Sequence, residues 1–304
     1  NRDYWRGAPA NAGLVLKVVP DETMRGLELR KGTADLVIND LSPDIIHTLV
    51  EDGRVAIETT PGVDYCYVGF NMRDPLLADA RVRRAIGFAI DREAIVKYLR
   101  RGFATVASGV IPPLSWAFAE DTFRFTRDPA RARQSLVEAG YRDPDGVGPE
   151  PRLRLTLKTS TSEIYRVQAA VIQRDLADVG IELELRSMEF ATLFGDIING
   201  NVQMYTLQWV GVTDPDMLRR VFHSAQVPPN GFNRGYYISP EVDALLDRAT
   251  RSTDDAERKA LYEEIQRVVA RDAPYIGLWY KTNVVVYQRD LRGITLAPNG
   301  EYTF

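Results

Sequence analysis

The chain has 304 residues, 45% of them hydrophobic and 26% charged, with a net charge of −4. That composition suits a globular protein of one large or two ordinary domains, and it argues against a nucleic-acid partner, because no basic tract interleaved with aromatics is present. A single cysteine and two histidines exclude an internal disulfide and a multi-histidine metal site.

No apolar run approaches the roughly 18 residues of a membrane span, and no signal peptide is visible. The chain opens on NRDYWRG, without an initiator methionine, and reads as a fragment or a processed chain. Residues 14–19 (LVLKVV) are expected as a strand. A helix then opens at Pro20-Asp21 and is capped by Gly32, and a strand covers 34–38. Ser42 heads a short helix over 43–51. Strands follow over 55–59 and 65–71, punctuated by Pro61-Gly62. Asn71 closes the second of these, either as a turn former or as a ligand contact. Asp79 and Asp91 are the expected N-caps of two helices, whose buried faces carry Val82, Ile86 and Ile90, then Ile95, Val96 and Leu99.

Residues 115–126 read as a loop with aromatic anchors, and Asp128-Pro129 opens a helix closed by Gly140. Alternating leucines mark strands at 153–157 and 181–185. Between them a helix over about 162–179 is expected to turn Ile164, Val167, Val171 and Val179 inward. This strand–helix–strand crossover predicts parallel strands, with the basic outer face of one (Arg154, Lys158) beside the acidic outer face of the other (Glu182, Glu184). Residues 202–212 form an apolar run expected of a strand covered on both faces. Helices are then expected from Ser239-Pro240 to about 250 and from Ser252 or Thr253 to about 271. Strands follow at 274–280, 283–287 and 291–296.

The stretch 201–237 gathers binding chemistry near strand ends and loops. It holds Gln208 and Trp209, a Gly-Val-Thr-Asp-Pro-Asp turn with Asp214 and Asp216, and a loop ending in Asn233, Arg234, Tyr236 and Tyr237. Read from the residues alone, these are equally a core tryptophan, a helix cap and a solvated loop.

Three separated segments resemble the peptide/nickel-type (family 5) extracellular solute-binding proteins of ABC importers. The first is Asn1, Asp3, Tyr4 and Trp5 with Val18-Val19-Pro20-Asp21. The second is Tyr67-Val-Gly-Phe-Asn71 with Val82-Arg83-Arg84-Ala85 and Ala89-Ile90-Asp91-Arg92-Glu93. The third is Gln208-Trp209 through Asp214-Pro215-Asp216, then Asn233-Arg234, Tyr237 and Ser239-Pro240-Glu241-Val242-Asp243. The resemblance spans essentially the whole chain. It implies an α/β, periplasmic binding protein-like (type II) two-lobed architecture, with one lobe complete and the other partial. Residues 63–275 would be the inserted ligand-binding lobe. Residues 1–62 would be part of the first lobe, and 276–304 the segment returning to it. The family's long N-terminal segment is absent before Asn1, so apolar surface meant for it is expected to be exposed.

The same resemblance implies a small-molecule or oligopeptide ligand held in an interlobe cleft, ABC permease subunits as membrane partners, and a periplasmic or extracytoplasmic location. No cofactor and no metal are implied. It points to Trp209 for stacking, Gln208 and Asn233 for hydrogen bonds, and Arg234 for an anionic ligand group. Tyr236, Asn71 and Asp214 complete the candidate contacts. Peptide binders of the family place an aspartate a few residues after the tryptophan, to hold the ligand's ammonium. Val212 stands about there, which raises opines, sugars, metal chelates or blocked peptides beside free peptides. An enzyme reading would use Asp214 and Asp216 as paired carboxylates. Residues two apart in a turn point in different directions, however, and no G-x-S-x-G, H-E-x-x-H or P-loop is present. A ligand-sensing module that docks a receptor is the remaining alternative.

Overall fold

The computed structural model describes residues 3, 5, 7, 8, 12–146 and 148–300. Asn1 and Tyr4 of the opening motif, and 301–304 of the expected return segment, lie outside the described residues. In chain order the elements are α1 (Glu22–Lys31), β1 (Leu36–Ile38), α2 (Pro43–Glu51), β2 (Val55–Phe70), α3 (Ala80–Ala89), α4 (Arg92–Ala94, running into a π-turn at Ile95–Leu99), β3 (Ala104–Val106), α5 (Pro129–Glu138), β4 (Leu153–Ser160), α6 (Glu163–Ala177), β5 (Ile181–Met188), α7 (Phe190–Ile198), β6 (Met204–Trp209), α8 (Met217–Phe222), α9 (Pro240–Arg251), α10 (Asp255–Asp272) and β7 (Tyr275–Gln288). The chain divides into two compact units: residues up to Thr59 with Val284–Leu296, and Thr60–Asn283 with residues from Ala297 onward.

In the smaller unit, Asp21 caps α1 by accepting from the Met24 amide, and Gly32 ends it in the left-handed conformation at φ 70°. That conformation is cheap only for a residue without a Cβ. β1 pairs antiparallel with the end of β7, Ile38 opposite Val285. The expected strand at 14–19 is not formed. Leu14, Val15, Leu16 and Val18 are 62–90% exposed, and among the described residues no strand hydrogen-bonds to them. An apolar run becomes a strand only where another backbone pairs with it.

In the larger unit the strand order is β7-β2-β6-β4-β5, with β3 added to β7. β6 is antiparallel to β2 and parallel to β4. β4 and β5 are parallel neighbours in full register, Leu153 opposite Ile181, as the crossover predicts. Arg154 and Glu182 form the expected cross-strand ion pair at 2.8 Å. The inward face of α6 departs from expectation. Gln168, Ala169, Ile172, Asp175 and Leu176 are its buried residues, while Val167 is 42% exposed. Two of the buried positions are polar. Gln168 accepts from the Trp279 indole N–H, and Asp175 accepts from the Asp91 amide. Such satisfied buried polar groups disguise the face from a hydropathy reading.

The two strands expected at 55–59 and 65–71 are one strand. Pro61-Gly62 does not break it, because a side chain at Gly62 would lie 2.4 Å from the Lys281 carbonyl. The glycine is there to let β7 approach. The strands expected at 274–280 and 283–287 are likewise one strand, β7 (Tyr275–Gln288), and 291–296 form none.

The recurrent Arg83 and Arg92 of the second motif are structural. Arg83 is buried and donates to the Leu77, Ala78, Asp272 and Ala273 carbonyls. Burial lowers its pKa to about 10, so it stays charged at neutral pH. Arg92 joins the carbonyls of Ala107, Gly277 and Phe125. Replacing Arg83 by leucine strands four carbonyls. We expect a loss of about 3 kcal/mol, read as a lower urea midpoint with an unchanged m-value.

Candidate ligand-binding wall

Side-chain alternation along β6 decides what the strand presents. Met204 joins Cys66, Val68 and Phe70 in the core on one face of the sheet. Tyr205, Leu207 and Trp209 join Tyr65 and Tyr67 in the core on the other. The strand is covered on both faces over Met204–Trp209, shorter than the expected run 202–212: past its end Val210 is 73% exposed. Gln208 and Trp209, adjacent in sequence, therefore point to opposite faces.

On the Trp209 face the indole carries a buried guanidinium. The Arg234 Cζ lies 4.4 Å from the Trp209 ring, 4.8 Å from Phe194 and 5.5 Å from Phe232. Phe232 meets Trp209 edge-on at 6.0 Å, and Phe190 stacks on Phe194 at 5.8 Å. Trp209 is 9% and Arg234 6% exposed, whereas Phe232 is 42% and Phe190 55% exposed. The indole is thus nearly covered, and the open part of the wall is its phenylalanine rim. Beneath it, Tyr67 stacks parallel to Trp209 at 6.3 Å, and Tyr275 stacks on Tyr67 at 4.1 Å. Burial drives the Tyr67, Tyr205 and Tyr275 hydroxyls above their ordinary pKa, an effect the nearby Arg234 charge opposes.

On the opposite face Gln208 donates to Asp64 at 2.9 Å and accepts from the Tyr165 hydroxyl at 3.1 Å. Asp64 also accepts from the Gly211 amide at 2.9 Å. This buried carboxylate holds the chain just past the end of β6 in place.

The other expected contacts are dispersed. Asn71 donates to the Gly200 and Val202 carbonyls and accepts from the Arg73 amide. Tyr236 sits nearby, with φ 54° and the Arg73 guanidinium 3.5 Å above its ring. Asn71 therefore lies at the start of β6, about 20 Å from Trp209 along a strand rising some 3.3 Å per residue, with Tyr236 near it. Asn233 uses its whole amide on backbone, donating to the His223 and Tyr237 carbonyls and accepting from the Tyr237 amide. It shapes the loop that presents Arg234. Val212, at the position weighed for an ammonium-binding acid, is buried in the core.

Of the seven residues named from sequence, Trp209 and Arg234 meet through their side chains, and Asn233 and Tyr236 meet through a backbone hydrogen bond. Phe190, Phe194 and Phe232 were missed. Two aromatics four apart in FATLF were the available signal. Among the described residues no group of His, Cys, Asp or Glu is placed to hold a metal ion.

Asp214 accepts from the Asp216 amide at 2.8 Å, the local turn that leads into α8. Asp216 has its pKa raised, first by burial and then by Asp214. A carboxyl raised in the folded state opposes folding once it ionises. That penalty is absent below the ordinary carboxylate range and complete above the folded pKa. In Asp216→Asn the melting temperature should gain on the unsubstituted protein as pH rises from about 3 to about 7. A difference that stays flat with pH would contradict this assignment.

Residues 1–227 match the model of "Bacterial extracellular solute-binding proteins, family 5 Middle". The chain is 27% identical over 308 residues to the probable di/tripeptide-binding protein 5 of Pseudomonas aeruginosa, covering all of this chain and 57% of the relative. It is 30% identical over 307 residues to the oligopeptide-binding protein AppA of Bacillus subtilis, covering 98% and 56%. It therefore spans somewhat more than half the length of these relatives. The fold superposes on AppA of B. subtilis in complex with a nonapeptide (TM-score 0.84, 29% identity, 99% of this chain and 60% of that one). It also superposes on NikA of Brucella suis in complex with Fe(III)-EDTA (TM-score 0.85, 25% identity, 98% and 62%). Both the α/β, periplasmic binding protein-like fold and the matched segments agree: the chain belongs to the family 5 bacterial extracellular solute-binding proteins.

Proposed function

We propose that this chain is the recognition part of a solute-binding protein that captures a small peptide or related solute outside the cytoplasm and delivers it to an ABC permease. Residues 63–275 are the ligand-binding lobe in this reading, and 1–62 and 276–304 belong to the other lobe. Relatives named for what they bind span di- and tripeptides, oligopeptides, heme and glutathione. Family membership therefore supports capture of a solute without fixing which one.

The observation that carries the reading is the half-open aromatic rim around a buried cation. Phe232 and Phe190 are too exposed to serve the core; Phe232 borders Trp209 and Arg234, and Phe190 stacks on Phe194, which itself borders Arg234. Covering what is still exposed of one such phenylalanine is worth about half of the roughly 1.5–3 kcal/mol of a full burial. Nothing in the wall activates a nucleophile, and Asp214 is engaged in its own turn, so binding without covalent chemistry fits better than hydrolysis. A ligand-sensing role would use the same wall and differ only in the membrane partner.

The test is native mass spectrometry of the full-length protein purified without denaturation. We expect a co-purified solute that is released unchanged. We also expect Phe232→Ala to retain less of it while losing less than about 1 kcal/mol of stability. Steady chemical conversion of the solute, or full retention by the variant, would contradict the proposal.

A further inference from the structure

β5 (Ile181–Met188) is the last strand of the sheet. It pairs with β4 on one side and, among the described residues, with no strand on the other. The ladder fixes which of its groups face outward. The Thr161 amide donates to the Met188 carbonyl, while Gln173 Nε2 caps the Leu183 carbonyl at 2.7 Å. Even-numbered residues therefore spend their backbone groups on β4, and those of Leu183, Leu185 and Ser187 point out of the sheet. Eight residues without proline make a long edge strand, and such an edge is a template for one more strand.

Proteins guard edges of this kind with charge. Here the guard is Glu182, Glu184 and Arg186, all exposed on one face, and it is self-complementary. Let two copies of β5 run antiparallel about a two-fold axis at Leu185. Leu185 then meets Leu185, and Leu183 meets Ser187, through their outward backbone groups. Glu184 of each copy stands directly opposite Arg186 of the other, twice over. The pair already formed within one strand, Arg186 Nε to Glu184 at 2.9 Å, becomes one side of a square of alternating charge. The neighbouring registers oppose Glu184 to Glu184 or Arg186 to Arg186, and like charges directly opposite are disfavoured. The charge pattern thus selects one register.

We propose that the free edge of β5 is the contact between two copies of this chain, an antiparallel seam that continues the sheet from one copy into the next. A two-fold contact uses the same patch on both copies and closes on itself, so it gives a dimer and not a fibre. α6 flanks the same edge. Gln173 marks its near side by reaching the Leu183 carbonyl. Ala170 and Ala177, about one turn to either side and exposed, are small enough for the second copy's helix to approach. One short seam is at the low end of specific contact areas, so the dimer forms at high concentration and parts on dilution. The inference does not depend on which solute the chain binds.

The test is sedimentation velocity of the full-length protein from micromolar to near-millimolar concentration. The sedimentation coefficient should climb from the monomer's toward the dimer's. Glu184→Arg and Arg186→Glu each set like charges face to face and should weaken association at least about tenfold. Combining the two exchanges the signs and should restore it. Ser187→Pro removes an amide that β4 does not use, so it should melt like the unsubstituted protein while associating as weakly as the single charge variants. Cross-linking reads the register, because the closely spaced pairs of an antiparallel ladder lie within disulfide reach. Under oxidising conditions Glu184→Cys mixed with Arg186→Cys should give a disulfide-linked dimer, and neither variant alone should. The native Cys66 is buried and takes no part. A monomer at every concentration, the result expected if the edge is only guarded or serves a strand of another protein, would overturn the proposal. So would single charge variants that associate normally, a double variant that does not recover, a dimer that persists in Ser187→Pro, or a cross-link in Glu184→Cys alone.

Discussion

The pairing of β6 with β2 on one side and β4 on the other sets most of what this protein can do. A strand locked between two neighbours has no freedom to rotate, so each residue is committed to one face. The antiparallel register that puts Trp209 opposite Tyr65 sends the indole to the tyrosine-rich core and Gln208 to the other. The candidate wall follows from that commitment. The indole forms the base, Asn233 shapes the loop that lays Arg234 across it, and α7 brings Phe194 up to the same cation.

The wall also shows how charge is handled differently at different places in one unit. Arg83 and Arg92 are buried too, but each spends its donors on backbone carbonyls: Arg83 ties the loop before α3 to the end of α10, and Arg92 ties loops to β7. Asp64 is buried on amide donors and holds the turn after β6. Arg234 alone of these four has rings instead of acceptors around it.

Local signals in the sequence were legible where one element obeyed one rule. Asp21, Asp79, Asp91, Asp128 and Ser239 each accept from a first-turn amide as caps should, and the alternating leucines of β4 and β5 gave a parallel pair. Legibility failed where a third party decides. Residues 14–19 have strand hydropathy but no pairing partner. Gly62 looks like a break and is a close approach. α6 turns a glutamine and an aspartate inward because each has a partner far away in sequence. The site was half legible for the same reason. Tryptophan and arginine stood out as residue types, but their contact depends on a loop and a register. Asn71 and Tyr236 are brought near each other at the far end of the strand, where both serve the backbone or Arg73.

The decisive measurement is a crystal structure of the full-length protein with its captured solute in place. Solute atoms should lie against Phe194 and Phe232, beside Trp209 and Arg234. Solute lodged instead beside Asn71 and Tyr236 at the start of β6, with the Arg234 edge facing only water, would show that the wall described here is structural and that recognition lies elsewhere.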